Sequence, residues 1–462
     1  MLASRHVPLY KATVVQDGTP GSIVAFDKLG RNILSATRGF GGTYPRTMTQ
    51  YNARGLVAAQ SGATFAEIGD PVFWTTYLYD PLGRVTQKIV PKGADDGRGD
   101  LKTTYAYSGR QTAIQVCGTA DVGTTNCLNL NRTTDSLGRY METVDAQGGI
   151  TQFWPDAKGH TLALVDAKGS VTTAVYNGSG QRSSVTDPNQ GTWSFLYDGL
   201  GELMRQTDAR GVVTDTRYDK LGRPSTRSVS IDITGDNVPD AIVDSWTYDP
   251  FNGVGKPASS QRLVNGAIER RQVFTYDTLA RPIQTDTTQQ IAIGQTKAYT
   301  QTLAYDTYYG RPKSTGYPNG EAVATYYDKY GHPIRSFNPA TGAVYREITA
   351  VDVNGAPTVA SLGGGLLTDT RSYRPSTGEL TSIQTTRSGT MLRQLAYQSD
   401  VFGNLSRQTL NAGATVEAYT YDSLQRMIQS TRSGAVNATI NYTLHGTGGS
   451  VHLGSVHLAA VL

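Results

Sequence analysis

The strongest constraint on this chain is internal. A short pattern, an aromatic residue followed by Asp or Asn, two further residues and Gly, returns at spacings of 20 to 30 residues over most of the 462-residue sequence. Seven copies match without adjustment, beginning at Phe26 (FDKLGR), Tyr51 (YNARGL), Tyr79 (YDPLGR), Tyr176 (YNGSGQ), Tyr197 (YDGLGE), Tyr218 (YDKLGR) and Tyr327 (YDKYGH). Looser copies fill the intervals at Thr134, Trp154, Tyr248, Tyr276, Tyr305, Ser399 and Tyr421. A second series, D-x-x-G or a near relative, runs between them at Asp145, Asp166, Asp187 and Asp208, each 21 residues after the last. Self-similarity at this period predicts one repeated supersecondary unit, about seventeen copies of it, and not a set of independent domains.

The residue types say which unit. Asp or Asn at the first turn position accepts hydrogen bonds from backbone N–H groups further on, and Gly three residues later takes the positive φ of a type I turn closed by a bulge. The repeat-defining residues are Tyr79, Asp80, Gly83 and Arg84; Tyr197, Asp198 and Gly201; Tyr218, Asp219, Gly222 and Arg223; and Tyr327, Asp328 and Gly331. Between turns the apolar pattern has a period of two: Trp193, Phe195 and Tyr197 alternate with Thr192, Ser194 and Leu196, as in a strand with one better-buried face. A single hairpin is marginal in water, so the units must stack into one long sheet. The fold class is all-β. The array occupies residues 26–430, after a lead-in at 1–25 and before an atypical or truncated tail at 431–462, and an Asp-rich loop is inserted at 231–245.

Composition agrees. Charged residues are only 17% of the chain, Gly numbers 51, and Tyr outnumbers Phe by 27 to 10, which suits strands whose faces are partly wet. A net charge of +4, spread along the chain, gives no basis for a nucleic-acid partner. No apolar stretch is long enough to span a membrane as a helix, and the opening MLASRHVPLYKATVV lacks the apolar run of a secretory signal. The recurrent Arg after the turn (Arg31, Arg84, Arg139, Arg223, Arg281, Arg311, Arg426) can pair with the Asp of its own or an adjacent repeat, or stand as a solvated cation.

Few residues stand above this background. Asp232, Thr234, Asp236 and Asp240 place oxygen-bearing side chains at positions one, three, five and nine of DITGDNVPD, a spacing similar to short calcium loops, with a plain Asx-rich loop as the alternative. Cys117 and Cys127 flank GTADVGTTN, where they either staple the base of a loop in an oxidising compartment or remain two unreactive thiols. His6, His160 and His332 are isolated, and His445, His452 and His457 have no convincing metal spacing. Gly363 to Gly365 lack the Lys-Ser/Thr of a phosphate loop and read as a turn. Nearly every repeat supplies an Asp that already has a turn role, so no catalytic pair can be singled out, and no enzyme activity, cofactor or catalytic residue is expected beyond a calcium ion at the Asp-rich loop.

YDPLGR, YDGLGE and YDKLGR, with their D-x-x-G partners, resemble the YD repeats of bacterial RHS (rearrangement hotspot) proteins, of the C component of insecticidal toxin complexes and of teneurins. The resemblance runs from about Phe26 to about Tyr421. It implies a β-ribbon spiralling into a hollow shell that encloses a C-terminal toxin or effector, with the remaining shell segments and that cargo as partners and a secreted or cell-surface delivery system as the setting. It also leaves open a carbohydrate-binding or adhesive module directed at surface glycans. The family's self-cleaving stretch, DPxGxxD, does not occur after Tyr421, so the resemblance implies no protease here; the array reads as the middle of something larger.

Overall fold

In the computed structural model the described residues are 9–15, 18–65, 69–92, 99–119, 125–233, 235, 238–292, 294–434, 436–444 and 451–460. They form thirty-seven β-strands and one three-residue 3-10 turn at Phe40–Gly42. Each strand whose pairing is recorded is antiparallel to its chain neighbour, as in Val171–Tyr176 with Arg182–Asp187, Arg182–Asp187 with Gly191–Tyr197, and Gly191–Tyr197 with Leu203–Thr207. The result is a meander in which alternate turns lie on opposite edges of one sheet. Turns carrying the aromatic-Asp motif occupy one edge, and the D-x-x-G turns at Asp145, Asp166, Asp187 and Asp208 the other.

The lead-in already contributes Tyr10–Val14, paired with Ser22–Phe26, and the ladder continues past residue 430 into Val436–Leu444 and Val451–Ala460. The Asp-rich insertion is half loop and half strand, since Asp240–Tyr248 pairs with Pro224–Ile231. Gly363, Gly364 and Gly365 lie in the turn between Pro357–Leu362 and Leu367–Tyr373.

Two units can be distinguished. One comprises residues 1–150, 325–337 and 341–462, the other 151–324 and 338–340. Both are thin. Among the described residues the buried apolar side chains are mostly small or medium, such as Ala25, Ala36, Ile114, Ala324, Ala360, Leu395 and Val401, Tyr276 is the one buried aromatic, and no large side chain is completely enclosed. Gly191–Tyr197 has Trp193, Phe195 and Tyr197 half-buried and Thr192, Ser194 and Leu196 exposed, the alternation expected of a single sheet with one drier face.

The motif's aromatic residue sits where the register slips, at Leu78/Tyr79, Leu196/Tyr197, Arg217/Tyr218 and Thr275/Tyr276, so each turn carries a bulge. The bulge needs a left-handed residue. Gly222 supplies it at φ 75°, but Ala280 and Gln425 occupy the same place at φ 58° and 62°. A Cβ in this region costs about 1 kcal/mol, partly offset by the greater unfolded freedom of glycine. Ala280→Gly is therefore expected to raise stability by about 0.5 kcal/mol, read as a higher urea midpoint at unchanged slope. Gln425→Gly should gain less, because the Gln425 Oε1 accepts a hydrogen bond from Asn404 Nδ2 that the substitution removes.

Candidate functional site: the aromatic-Asp turn edge

Most turns on this edge are held by one Asp carboxylate, and the Tyr51 and Tyr176 copies by the amide oxygen of Asn52 and Asn177. In the Asp27 turn, Oδ1 accepts from the N–H groups of Leu29 and Arg31 at 2.9 and 3.0 Å, Oδ2 accepts from Arg31 Nε at 2.8 Å, and Gly30 N–H closes onto the Asp27 carbonyl at 3.0 Å. The Asp219 turn repeats this with Leu221 and Arg223 at 2.8 and 3.0 Å and Arg223 Nε at 2.7 Å. The recurrent Arg thus pairs with the Asp of its own repeat, at Arg31, Arg84, Arg139, Arg223, Arg281, Arg311 and Arg426. Arg223 also reaches Asp249 of the next repeat at 2.7 Å. In two copies His replaces Arg: His160 Nδ1 lies 2.8 Å from Asp156 Oδ2, whereas His332 turns its Nε2 to the Arg38 carbonyl at 2.9 Å.

The same guanidinium stacks on the aromatic ring of the following repeat: Arg31 over Tyr51, Arg84 over Tyr107, Arg223 over Tyr248 and Arg281 over Tyr305, at 4.2 to 4.4 Å. That tyrosine then donates its hydroxyl proton back to a carbonyl of the preceding repeat. Tyr51 reaches Asn32 O at 2.9 Å, Tyr79 Val57 O at 2.7 Å, Tyr218 Leu203 O at 3.0 Å, Tyr248 Pro224 O at 2.8 Å, Tyr276 Pro257 O at 2.9 Å and Tyr421 Leu405 O at 2.8 Å. Sequence reasoning missed this ladder. Its signal was the excess of Tyr over Phe, which marks a hydroxyl that has a fixed partner.

These contacts set the acid response. The Arg31 guanidinium, with the Arg31 and Leu29 N–H groups, holds Asp27 down to about 2, against the opposing effect of partial burial. Asp219 is lowered by the Arg223 N–H and then its guanidinium, and Asp277 by the Arg281 guanidinium. Partial burial pushes Asp80 and Asp422 upward, but hydrogen bonds from Arg84 and Arg426 outweigh it. Unfolded carboxyls protonate near pH 3.9, above their folded values, so the folded state gains from these groups at neutral pH and loses that gain as pH falls through the folded values. Melting temperature should be flat from neutrality to about pH 5 and fall between about pH 4 and 2. An unchanged melting temperature at the acid end would rule out the carboxylates as the fasteners.

Within the unit of residues 1–150, 325–337 and 341–462, the aromatic-Asp edge is also a docking edge. Its turns in residues 328–426 seat on opposite-edge turns of residues 18–149. Tyr330 lies over Gly42, where a Cβ would stand 2.6 Å from its hydroxyl, with the Arg38 guanidinium 4.3 Å from its ring. Glu379 pairs with Lys92 at 3.5 Å, Val401 fills the space above Gly118, and Gln147 bonds Asp422 and Arg426 at 3.3 Å each. An open cleft of about 620 Å³ lies along this seam, lined by Asn126, Leu128, Phe402, Tyr419 and Tyr421. Burial and the adjacent Glu417 carboxylate push the Tyr419 hydroxyl up to about 12.

Thr234 and Asp236 of the Asp-rich loop lie outside the described residues. Asp240 is buried and engaged, accepting from Ile233 N–H at 3.0 Å and Asn265 Nδ2 at 2.7 Å, and Asp232 accepts from Gly235 N–H at 2.6 Å. Among the described residues no three His, Cys, Asp or Glu side chains are placed to share a metal, and no helix is long and apolar enough to cross a membrane. Cys117 and Cys127 face each other across one hairpin and are joined as a disulfide. His6 and His445 lie outside the described residues. In the other unit, Asp244 binds Arg227 and Arg262 in a cleft of about 420 Å³ beside Trp246 and Glu269.

The RHS repeat family profile matches residues 197–230, three turns of this ladder with the strands Leu203–Thr207 and Val213–Tyr218 between them. Residues 197–230 are an RHS repeat. Over 95% of its length the chain superposes with a TM-score of 0.74 on the crystal structures of TcdB2-TccC3-TEV, at 15% identity, and TcdB2-TccC3-Cdc42, at 16% identity. A third, TcdB2-TccC3 without hypervariable C-terminal region, gives the same score at 15% identity. At such identities the likeness is one of fold. The chain spans about a quarter of each of those chains, 26%, 26% and 25% respectively. No curated protein matches it in sequence.

Proposed function

We propose that this RHS ribbon is a wall segment: a length of sheet whose work is to enclose and present another polypeptide, a toxin or effector, within a larger secreted or cell-surface delivery system, with no chemistry of its own. The observation that carries this reading is the seam. A ribbon whose one edge seats on its other edge, some 275 to 294 residues earlier in the chain, makes a continuous surface from a strip, which is what a container needs and a catalyst does not. The carboxylates of Asp27, Asp219 and Asp277, held low by their arginines, fasten turns and are not gathered around a vacant reacting position.

Electron microscopy of the purified chain tests the reading. Curved walls around a lumen, closed or partly closed, are the expected result. A straight rod that binds members of a glycan array would replace it with the adhesive function, for which half-exposed rings such as Trp154 and Tyr326 would be the stacking platforms.

A further inference from the structure

The disulfide adjoins the seam. Cys117 and Cys127 stand directly opposite each other on the strands Gln111–Thr119 and Thr125–Thr134, and beyond them the ladder has two pairs more, Gly118 with Asn126 and Thr119 with Thr125. On one flank the strand Leu101–Ser108 pairs only as far as Cys117, through Lys102, and on the other Tyr140–Val144 pairs only with Asn131–Thr134. The two outermost pairs are therefore an overhang without a recorded strand on either side. Two strands with only each other to pair with are marginal in water, and a glycine among them brings no side chain to the packing.

A seam contact nevertheless rests on this overhang. Gly118 is buried, and Val401, in the turn from Asp400 to Asn404, lies over it: a Cβ at Gly118 would stand 2.8 Å from the Val401 Cβ. Val401 is only 4% exposed. The disulfide is the covalent tie immediately inside this seat. It can also be reached, since Cys127 is exposed and borders the open cleft of the seam, with Cys117 half-buried. Exposed disulfides are the ones that thiols reduce.

We propose that Cys117–Cys127 is a thiol–disulfide exchange site that latches this part of the seam and is opened by a dithiol reductant. One thiolate of the reductant attacks the exposed Cys127 sulfur, the S–S bond breaks, and Cys117 leaves as a thiolate that takes up a proton. The second reductant thiol then displaces Cys127 in the same way. Two electrons and two protons pass to the cysteines, and the reductant ends as its own disulfide. Freed of its tie, the overhang frays and Val401 loses its seat. The sheet itself stays, because the six inner pairs from Val116–Leu128 to Gln111–Thr133 do not need the bond. The seam is thus fastened in an oxidising setting and loosened in a reducing one, whatever the wall encloses.

Hydrogen exchange on the full chain, read by mass spectrometry with and without dithiothreitol, tests this. On reduction the amides of residues 117–119, 125–127 and 400–404 are expected to exchange at least about tenfold faster, with those of residues 102–116 and 128–133 unchanged. Cys117→Ser/Cys127→Ser should show the fast pattern with or without the dithiol. Gly118→Ala, which blocks the seat and leaves the bond, should show fast exchange at residues 400–404 before reduction, and reduction should add nothing there. Protection of residues 400–404 that survives reduction overturns the proposal. So does a loss of protection spread over all of residues 102–133, which would make the disulfide a general staple of the sheet, and so does a bond that dithiothreitol fails to reduce in the folded chain. None of these outcomes bears on the lumen expected by microscopy, which tests the enclosure reading separately.

Discussion

Tyr276→Ala is expected to lower stability by about 3–5 kcal/mol, the range for removing a buried aromatic ring, and Tyr276→Phe by only about 1 kcal/mol. Tyr276 is 8% exposed, and its ring lies against Gly253, where a Cβ would stand 2.9 Å away. Its hydroxyl donates to the Pro257 carbonyl at 2.9 Å. The alanine variant loses ring and hydrogen bond together; the phenylalanine variant loses the hydrogen bond alone. Because neighbouring repeats stabilise one another, the damage should also show as a broadened or divided urea transition. Equal costs for the two variants would mean that the hydroxyl and not the ring fastens the repeat. A cost under about 1 kcal/mol for alanine would show that the ring is not a packing element.

Asp244→Ala should cost about 1–3 kcal/mol, a figure reduced because both of its partners are nearly half exposed and water screens them. Asp244 is buried between Arg227 and Arg262, with Arg227 Nε at 3.0 Å and Arg262 Nε at 2.8 Å. Arg262 is itself directly opposite Arg270 on the next strand. Without the carboxylate three guanidinium groups lie in one row across the sheet, so part of the loss is repulsion and added salt should restore it. Replacing all of Arg227, Asp244 and Arg262 by apolar residues of similar volume should be nearer neutral than Asp244→Ala alone. An alanine variant as stable as the parent at low salt would show the cluster to be a solvated surface feature.

What could be read from the sequence was what lies within one repeat. The Asp-to-Gly spacing fixes the turn, and the alternation of Trp193, Phe195 and Tyr197 fixes the strand, because both depend on residues a few positions apart. The partner of the recurrent Arg stayed open between two aspartates, and at Arg223 the structure uses both. The tyrosine ladder was not legible because its acceptor is a backbone carbonyl 15 to 24 residues away, and a carbonyl has no signature in a sequence. The cysteine question turned on register: only when Cys117 stands directly opposite Cys127 is a bond between them geometrically available. The seam was hidden for a further reason. Gly42 and Gly118 serve turns and strands like many other glycines, and nothing local tells that Tyr330 and Val401 lie above them.

The ladder has a direction. Every tyrosine hydroxyl in it reaches toward the N-terminus, to a carbonyl already present in the chain when that tyrosine is added: Asn32 before Tyr51, Val57 before Tyr79, Leu203 before Tyr218, Pro257 before Tyr276. On the ribosome, at roughly 5–20 residues per second, a new repeat is completed every few seconds and meets a finished template as it emerges. The sheet can therefore grow vectorially, one hairpin at a time, exposing a single sticky strand at its growing end instead of a whole unpaired chain.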